Sequence, residues 1–469
     1  MKTLPHVEAT SEQLPIISGN NLGVEVIRGA AGSGKTSTAL LRLKSLLYMF
    51  QFRKMRESDA SPVRILVLTF NKTLSGYVSS LVDAQVESSN VLIEIKTFSK
   101  WAANVLNPIR IIDKAAEFYL VSLIAAAGIS SLSQSYLAKE VDYILGRFHP
   151  SKLEEYIIAE RTGRGLQPRV ERTLRRQILD KIVIPYLEWL EAQGGVDWNG
   201  LAIKMSETQG SMNYDIVIVD ESQDFSANQL RAIGRHLAQN HALTFVIDTA
   251  QRIYARGFTW TEAGFEVRRD GYHTLRANHR NTKQIAAFAL GLLNGLTVDN
   301  DGALPNLSSA AREGGLPVVL RGLYRNQLSW AIQFIQSHVD LTSQSVAFLY
   351  PRAGAWLDYT RNSLRNSGLL YAEIARESEW PSGPENIALC TFHSSKGLEF
   401  DYVFILGLSV ENTEFPDLDS DDELLVLRRL LAVAVARAKE QVFLGYKPGE
   451  ESRLIDFFQA GTFMEMNLP

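Results

Sequence analysis

Gly29-Ala30-Ala31-Gly32-Ser33-Gly34-Lys35-Thr36 follows an apolar run, Gly23 to Ile27, and opens a helical pattern, Thr38 to Phe50. A strand, a glycine-rich turn and a helix start in that order make a phosphate cradle. Gly29, Gly32 and Gly34 let the backbone curl so that the N–H groups along Ala30, Ala31 and Ser33 point inward, and the helix N-terminus adds its positive dipole end. Lys35 reaches toward β and γ phosphates, and Thr36, followed by Ser37, can ligate magnesium.

A second string fits the first. Tyr214 to Asp224 reads YDIVIVDESQD, a strand-like apolar run ending in two adjacent carboxylates. The carboxyl ends of strands are where an open α/β sheet presents ligand-facing groups. Asp220 suits magnesium, and Glu221 suits polarising an attacking water.

The rest of the chain alternates short Val/Ile-rich runs with helical patterns, the signature of parallel sheets with crossover helices. Strands are expected at Gly23 to Ile27, Arg64 to Leu68, Val91 to Ile95, Asp215 to Val219, Leu243 to Ile247, Ser345 to Leu349, Ile387 to Cys390 and Tyr402 to Leu406, then Gln441 to Tyr446 after a last helix, Glu423 to Lys439. Between Trp101 and Asn213 the rhythm gives way to helices. The division is therefore an α/β domain over 1–103 and 213–273 carrying a helical insertion at 104–212, with a second α/β domain over 274–469. Within the insertion, Ala115 to Ile129 is the most apolar helical stretch and is read as core.

Of 469 residues, 46% are hydrophobic and 21% charged, as in a folded globular chain rather than a disordered one. The 48 basic and 52 acidic residues create no global positive field, so nucleic-acid binding requires a local patch. One candidate patch runs from Arg147 to Lys181 through Arg161, Arg164, Arg169, Arg172, Arg175 and Arg176. A single cysteine, Cys390, excludes an internal disulfide, and no zinc-type spacing is present. No apolar run approaches the roughly 18 residues that cross a bilayer, so a cytoplasmic location is expected. Residues 411 to 423 carry seven carboxylates, the pattern of a solvated segment.

Further strings, in order, resemble the motifs of UvrD/Rep/PcrA-like superfamily 1 helicases. Gln13 stands where that family has its adenine-reading glutamine. Thr69-Phe70-Asn71-Lys72 and Thr97-Phe98 are similar to its strand-contacting motifs, and DTAQRIY from Asp248 to Tyr254 is similar to GDxxQxIY. LRANHRN at Leu275 to Asn281 resembles LxxNYRS, TFHSSKGLEFD at Thr391 to Asp401 resembles TxHxxKGLEFD, and RRLLAVAVARAK at Arg428 to Lys439 resembles the closing motif.

The resemblance implies two RecA-like domains around ATP and magnesium. Gln251 would then sense the γ phosphate, Arg280 and Arg437 would act as arginine fingers, His279 would stack on adenine and Glu399 would meet the ribose. Nucleic-acid contacts would come from Phe70, Asn71, Lys72, Thr97, Phe98, Tyr254, Arg256, Trp260, Thr391 and His393. Aromatic rings can grip a single strand by stacking without reading sequence, and cations by backbone contact. Arginines supplied from a facing domain couple cleft closure to chemistry. Several positions depart from the family pattern: Ser37 replaces an arginine, His279 a tyrosine, and Ala432 and Ala436 a tyrosine and a threonine. No large second insertion separates Leu370 from Thr391.

These features imply an ATP-dependent translocase or helicase on single-stranded DNA, 3′ to 5′, serving DNA repair or antiphage defence; RNA is the other track such a grip would accept. No nuclease constellation is visible, so cutting would require a partner nuclease or another subunit. The alternative function is a nucleotide-gated DNA-binding subunit that controls such a partner without travelling.

Overall fold

The computed structural model describes residues 9–29, 33–69, 90–159, 170–208, 210, 212–248, 258–276, 278–295, 310–352, 354–374, 383–395, 398–413 and 420–469. Strands β1 (Gly23–Gly29), β2 (Val63–Thr69), β3 (Val91–Thr97), β4 (Tyr214–Val219), β5 (Leu237–Asp248) and β6 (Tyr272–Leu275) form a sheet in the order β3-β2-β4-β5-β1-β6. All its neighbours run parallel. A two-stranded ribbon, β7 (Asn278–Thr282) with β8 (Ala310–Arg312), comes next.

A second parallel sheet then gathers β9 (Val318–Arg321), β10 (Val346–Tyr350), β11 (Tyr371–Ile374), β12 (Ile387–Thr391), β13 (Phe400–Ile405), β14 (Ala438–Tyr446) and β15 (Met464–Asn467). Its order is β11-β12-β10-β13-β14-β9-β15. The two parallel sheets are the α/β architecture expected of two RecA-like domains.

Central strands are covered on both faces, which is why they read as unbroken apolar runs. All of β4 and β10 is buried. Helix Lys35–Arg56 lays Ala39, Leu43, Leu46 and Phe50 on one face of the first sheet, against Ile65, Val67, Ile216 and Ile218. On the other face, Trp101, Leu201, Met205 and Leu230 pack against Leu66, Val217 and Phe245. One consequence for the site is that β5 lies between β1 and β4, so the phosphate loop and the carboxylate turn leave the same sheet edge one strand apart.

Between β3 and β4 the described segments are helical, including Lys114–Ala126, Gln134–Arg147, Ile184–Ala192 and Trp198–Glu207. Most share a core of their own around Leu137, Ile144, Ile178 and Tyr186. The stretch read as core, Ala115 to Ile129, is core on one face only: Ala116, Ile124, Ala127 and Ile129 join that cluster and Tyr119, Leu120 and Leu123 pack against it. Helix Lys114–Ala126 buries only Ala116 and Ile124, and Phe118 is 75% exposed. Apolarity here exceeds the area its neighbours cover.

The basic patch is corrected in part, because Arg147, Arg175 and Arg176 serve the fold, while Arg172 is exposed. Arg175 donates to the carbonyls of Tyr156, Ile157, Ala159 and Val170 at 2.8–3.2 Å. Arg147 is buried against Glu262 and Tyr143, and Arg176 pairs with Glu154. Arg161, Arg164 and Arg169 lie outside the described residues.

Phe118→Ser is expected to change stability by less than about 0.5 kcal/mol, whereas Ile124→Ala in the same helix should cost about 2–4 kcal/mol. Chemical denaturation of the two variants checks this; equal losses would show that Phe118 is covered after all.

Candidate functional site

Helix Lys35–Arg56 begins at Gly34, which sits in the left-handed region at φ 76°. A side chain there would also collide with the amide of Gln13. Gly29 needs the same absence for a different reason, since a Cβ would lie 2.6 Å from both Leu275 O and Ser33 Oγ. Both glycines therefore permit close approach around the loop. Lys35 and Ser33 are buried, while Ser37 is half-buried on the helix. Ala30, Ala31 and Gly32 lie outside the described residues.

Asp220 follows β4 and is 2% exposed. Thr36 Oγ1 donates to its two carboxylate oxygens at 3.1 Å each, and its own N–H donates to Leu68 O at 2.9 Å. Burial, with the neighbouring Glu221 charge, pushes the Asp220 carboxyl up to about 7 against the pull of Thr36 and Lys35. A buried carboxylate beside a hydroxyl, short of positive charge, suits a divalent cation that would restore its ionised form. Thr36 and Asp220 thus fit the expected magnesium. Among the described residues no group of three or more His, Cys, Asp or Glu makes a separate metal cluster.

Glu221 takes φ 51° and ψ 40°, a left-handed conformation uncommon for a residue with a side chain. Its N–H donates to Asp220 Oδ1 at 3.0 Å, and Gln223 Nε2 donates to its carboxylate. The Ser222 hydroxyl anchors the turn on Val246 O at 2.9 Å. Such strain persists only where surrounding bonds enforce it.

Gln13 is buried with both ends of its amide engaged. Oε1 accepts from Thr10 N–H at 3.0 Å and Nε2 donates to Ser33 O at 3.2 Å. Arg42, itself buried, braces this segment by donating to Ile16 O at 2.8 Å and pairing with Glu25 at 2.8 Å.

Arg280, on the β7–β8 ribbon, and Glu399, just before β13 of the second sheet, expected at different parts of the nucleotide, meet each other in an ion pair. Lys439 stands 3.5 Å from the other Glu399 oxygen. Burial alone would raise the Glu399 carboxyl; Arg280 foremost, with Lys439 and Arg437, holds it down at about 2. Among the described residues, Nε and Nη1 of Arg280 have no hydrogen-bond partner.

Arg437 is 1% exposed, and its Nη1 reaches Leu398 O at 3.4 Å. It does not lie within a helix, as the apolar pattern implied. The helix ends at Val435, and Arg437 O accepts from Phe400 N–H at 3.0 Å as β14 begins.

Asn278 and Asn281 shape this cluster, although neither was singled out from the sequence. Asn278 Oδ1 accepts the N–H groups of Arg280 and Asn281 at 3.1 Å, and Asn281 Nδ2 donates to Ala436 O and Ala438 O at 3.0 and 2.6 Å. Asn281 thereby grips the carbonyls on both sides of Arg437. Its partners lie 155 and 157 residues away, beyond the reach of local pattern. Lys439 was missed as well, and its signal was its place two residues after Arg437.

Among the residues expected on nucleic acid, Phe98 is corrected. It is 4% exposed and packs edge-to-face on Trp101 and Phe225, so its ring belongs to the core. Trp260 is half-buried, stacks on Phe245 at 4.5 Å and meets Phe258 edge-to-face at 6.1 Å. Thr97 caps the following helix by accepting Lys100 N–H at 3.3 Å, and Thr391 accepts Ser394 N–H at 3.1 Å. His393 is half-buried in that same turn. Phe70, Asn71, Lys72, Gln251, Tyr254 and Arg256 lie outside the described residues, and of His279 only the β7 backbone is described. Cys390 is buried, and burial pushes its thiol up.

A phosphate loop and carboxylate turn on one parallel sheet, with an arginine cluster on a second, define a P-loop nucleoside-triphosphatase of two α/β units. Residues 10–263 match the UvrD/REP helicase N-terminal domain and residues 357–448 the UvrD-like helicase C-terminal domain. The chain belongs to the UvrD-like helicase family of enzymes.

A probable DNA helicase of Mycoplasma pneumoniae is 25% identical over 466 residues, covering 92% of this chain and 82% of its own length. DNA helicase IV of Escherichia coli is 23% identical, covering 92% and 68%. The ATP-dependent DNA helicase PcrA of Bacillus subtilis is 36% identical over 75 residues, 15% of this chain and 10% of PcrA. No described helix is long and apolar enough to cross a membrane.

In protein free of metal and nucleotide, the raised Asp220 carboxyl should make stability fall as pH rises from about 4, the ordinary aspartate value, to about 7. The folded state holds this proton more tightly than the unfolded state, and ionisation removes that advantage. Asp220→Asn is therefore expected to raise Tm by about 2 °C or more at pH 8, with the gain vanishing near pH 4. A lower Tm at pH 8 would contradict the burial cost.

Proposed function

We propose that this chain hydrolyses ATP to move along single-stranded DNA in the 3′ to 5′ direction. The observation that carries this reading is the pairing of a phosphate loop and buried carboxylates on one sheet with the Arg280, Glu399 and Arg437 cluster formed where the β7–β8 ribbon meets the second sheet. Lys35 and the loop N–H groups bind the phosphates, and Gln13 meets the base. Glu221, fixed by its strained turn, orients the attacking water and accepts its proton. Arg280 and Arg437 stabilise charge at the transferring phosphoryl when the units close. Magnesium, when bound with the nucleotide and held by Thr36 and Asp220, would neutralise phosphate charge. Gln251 would register the γ phosphate.

Opening and closing of the two units on each turnover becomes stepping if each grips the strand alternately. Trp260, Thr391 and His393, with Phe70, Asn71, Lys72, Tyr254 and Arg256, are the proposed grip. The 3′ to 5′ direction rests on the family resemblance, as does service in DNA repair or antiphage defence beside a partner nuclease, in the cytoplasm. A binding subunit that merely senses nucleotide needs neither Glu221 nor the arginines, which favours turnover over the regulatory alternative.

Glu221→Gln should lower DNA-stimulated ATP turnover by about 100-fold or more while leaving ATP binding within about threefold. Stimulated turnover surviving in that variant would show another group activates the water. Only residues 375–386 connect β11 to β12, leaving no room for a large duplex-gripping domain. The purified chain is accordingly expected to displace streptavidin from a DNA end but to unwind long duplex poorly; processive unwinding by the chain alone would overturn this.

A further inference from the structure

The short segment from Thr10 to Gln13 touches two separate parts of the nucleotide machinery. Gln13 donates to Ser33 O in the phosphate loop at 3.2 Å. The residue before it, Glu12, accepts the backbone N–H of Arg276 through Oε1 at 2.8 Å. Arg276 is no ordinary loop residue: β6 ends at Leu275 in the first sheet, and β7 begins at Asn278 beside the Arg280 cluster. The chain therefore leaves one unit for the other between Leu275 and Asn278.

The crossing also starts against the phosphate loop. Leu275 is the register partner of Gly29, and its carbonyl oxygen lies only 2.6 Å from where a Cβ on Gly29 would stand, so the missing side chain lets the two strands meet there. Arg280 follows four residues after Arg276, with Asn278 bonding its N–H on the way. The direction in which this arginine leaves the first unit is thus set at a backbone group that Glu12 holds. A carboxylate accepting an N–H makes a charge-assisted bond, stronger than a neutral one.

We propose that Glu12 is a positioning residue that couples base recognition at Gln13 to the path of the crossing, and so to the approach of Arg280 to the nucleotide. The inference rests on the ATP-driven motor reading above. Base binding that draws on Gln13 shifts its neighbour Glu12, and the crossing moves with it.

Glu12→Ala and Glu12→Gln in the full chain separate this role from a merely structural one. With saturating single-stranded DNA, Glu12→Ala should lower kcat for ATP by about five- to tenfold while KM for ATP stays within about twofold, because placement of the arginine and not ground-state binding is lost. Glu12→Gln keeps an acceptor oxygen and should retain about half of wild-type kcat or more. Amide hydrogen exchange at Arg276 should speed up in the Ala variant and not in the Gln variant. Unchanged kcat in Glu12→Ala, a rise in KM alone, or a Gln variant as poor as Ala would overturn the proposal. Wild-type protein without DNA-stimulated turnover would sink the motor reading instead, and unchanged exchange at Arg276 would still refute the role of Glu12 independently.

Discussion

Gly29 is the residue on which the first sheet and the site both turn. In register it pairs with Asp248 on one side and Leu275 on the other, so the phosphate loop, the start of the DTAQRIY segment and the exit toward the second sheet meet at one backbone position. Only a residue without a side chain fits there, because Leu275 O occupies the space a Cβ would need. The parallel order then brings Asp220 to the same edge, where Thr36 meets it. Chemistry at this edge is a product of strand order before it is a product of any single side chain.

In the opposing half, above the apolar core of the second sheet, polar groups organise the arginine cluster. Two buried asparagines, Asn278 and Asn281, satisfy backbone groups that would otherwise be stranded, and in doing so tie the Arg280 turn to both flanks of Arg437. Such networks specify one arrangement when every member is satisfied. Glu399, surrounded by three cations, remains ionised and balances a cluster of like charges that would otherwise repel one another.

How far the sequence was legible depended on what covers each element. Central strands such as β4 and β10 lie between two packed faces, so their apolar runs announce them. Strand β15 is exposed along all four residues and β6 spells YHTL; each becomes a strand because a neighbour lends its hydrogen bonds, a fact absent from local composition. Helix Lys114–Ala126 misled in the opposite sense, since apolarity states what a helix could bury and not what its surroundings supply. Arg437 was drawn into a helix by the run AVAVARAK, although Phe400 claims its carbonyl for the next strand. The phosphate loop and the DESQD turn were readable because their chemistry requires contiguous residues, whereas the contact between Arg280 and Glu399 spans 119 positions.

The Gln13 amide carries one more implication. Its oxygen and nitrogen are already satisfied by Thr10 and Ser33, so a purine ring arriving here must exchange existing hydrogen bonds instead of making new ones. An exchange of that kind contributes little net free energy, whereas in the proposed function the triphosphate would gain Lys35 and the N-terminus of its helix. Affinity should therefore be graded by the number of phosphates far more than by the identity of the base, and the glutamine would act less as an anchor than as a gauge of what has docked.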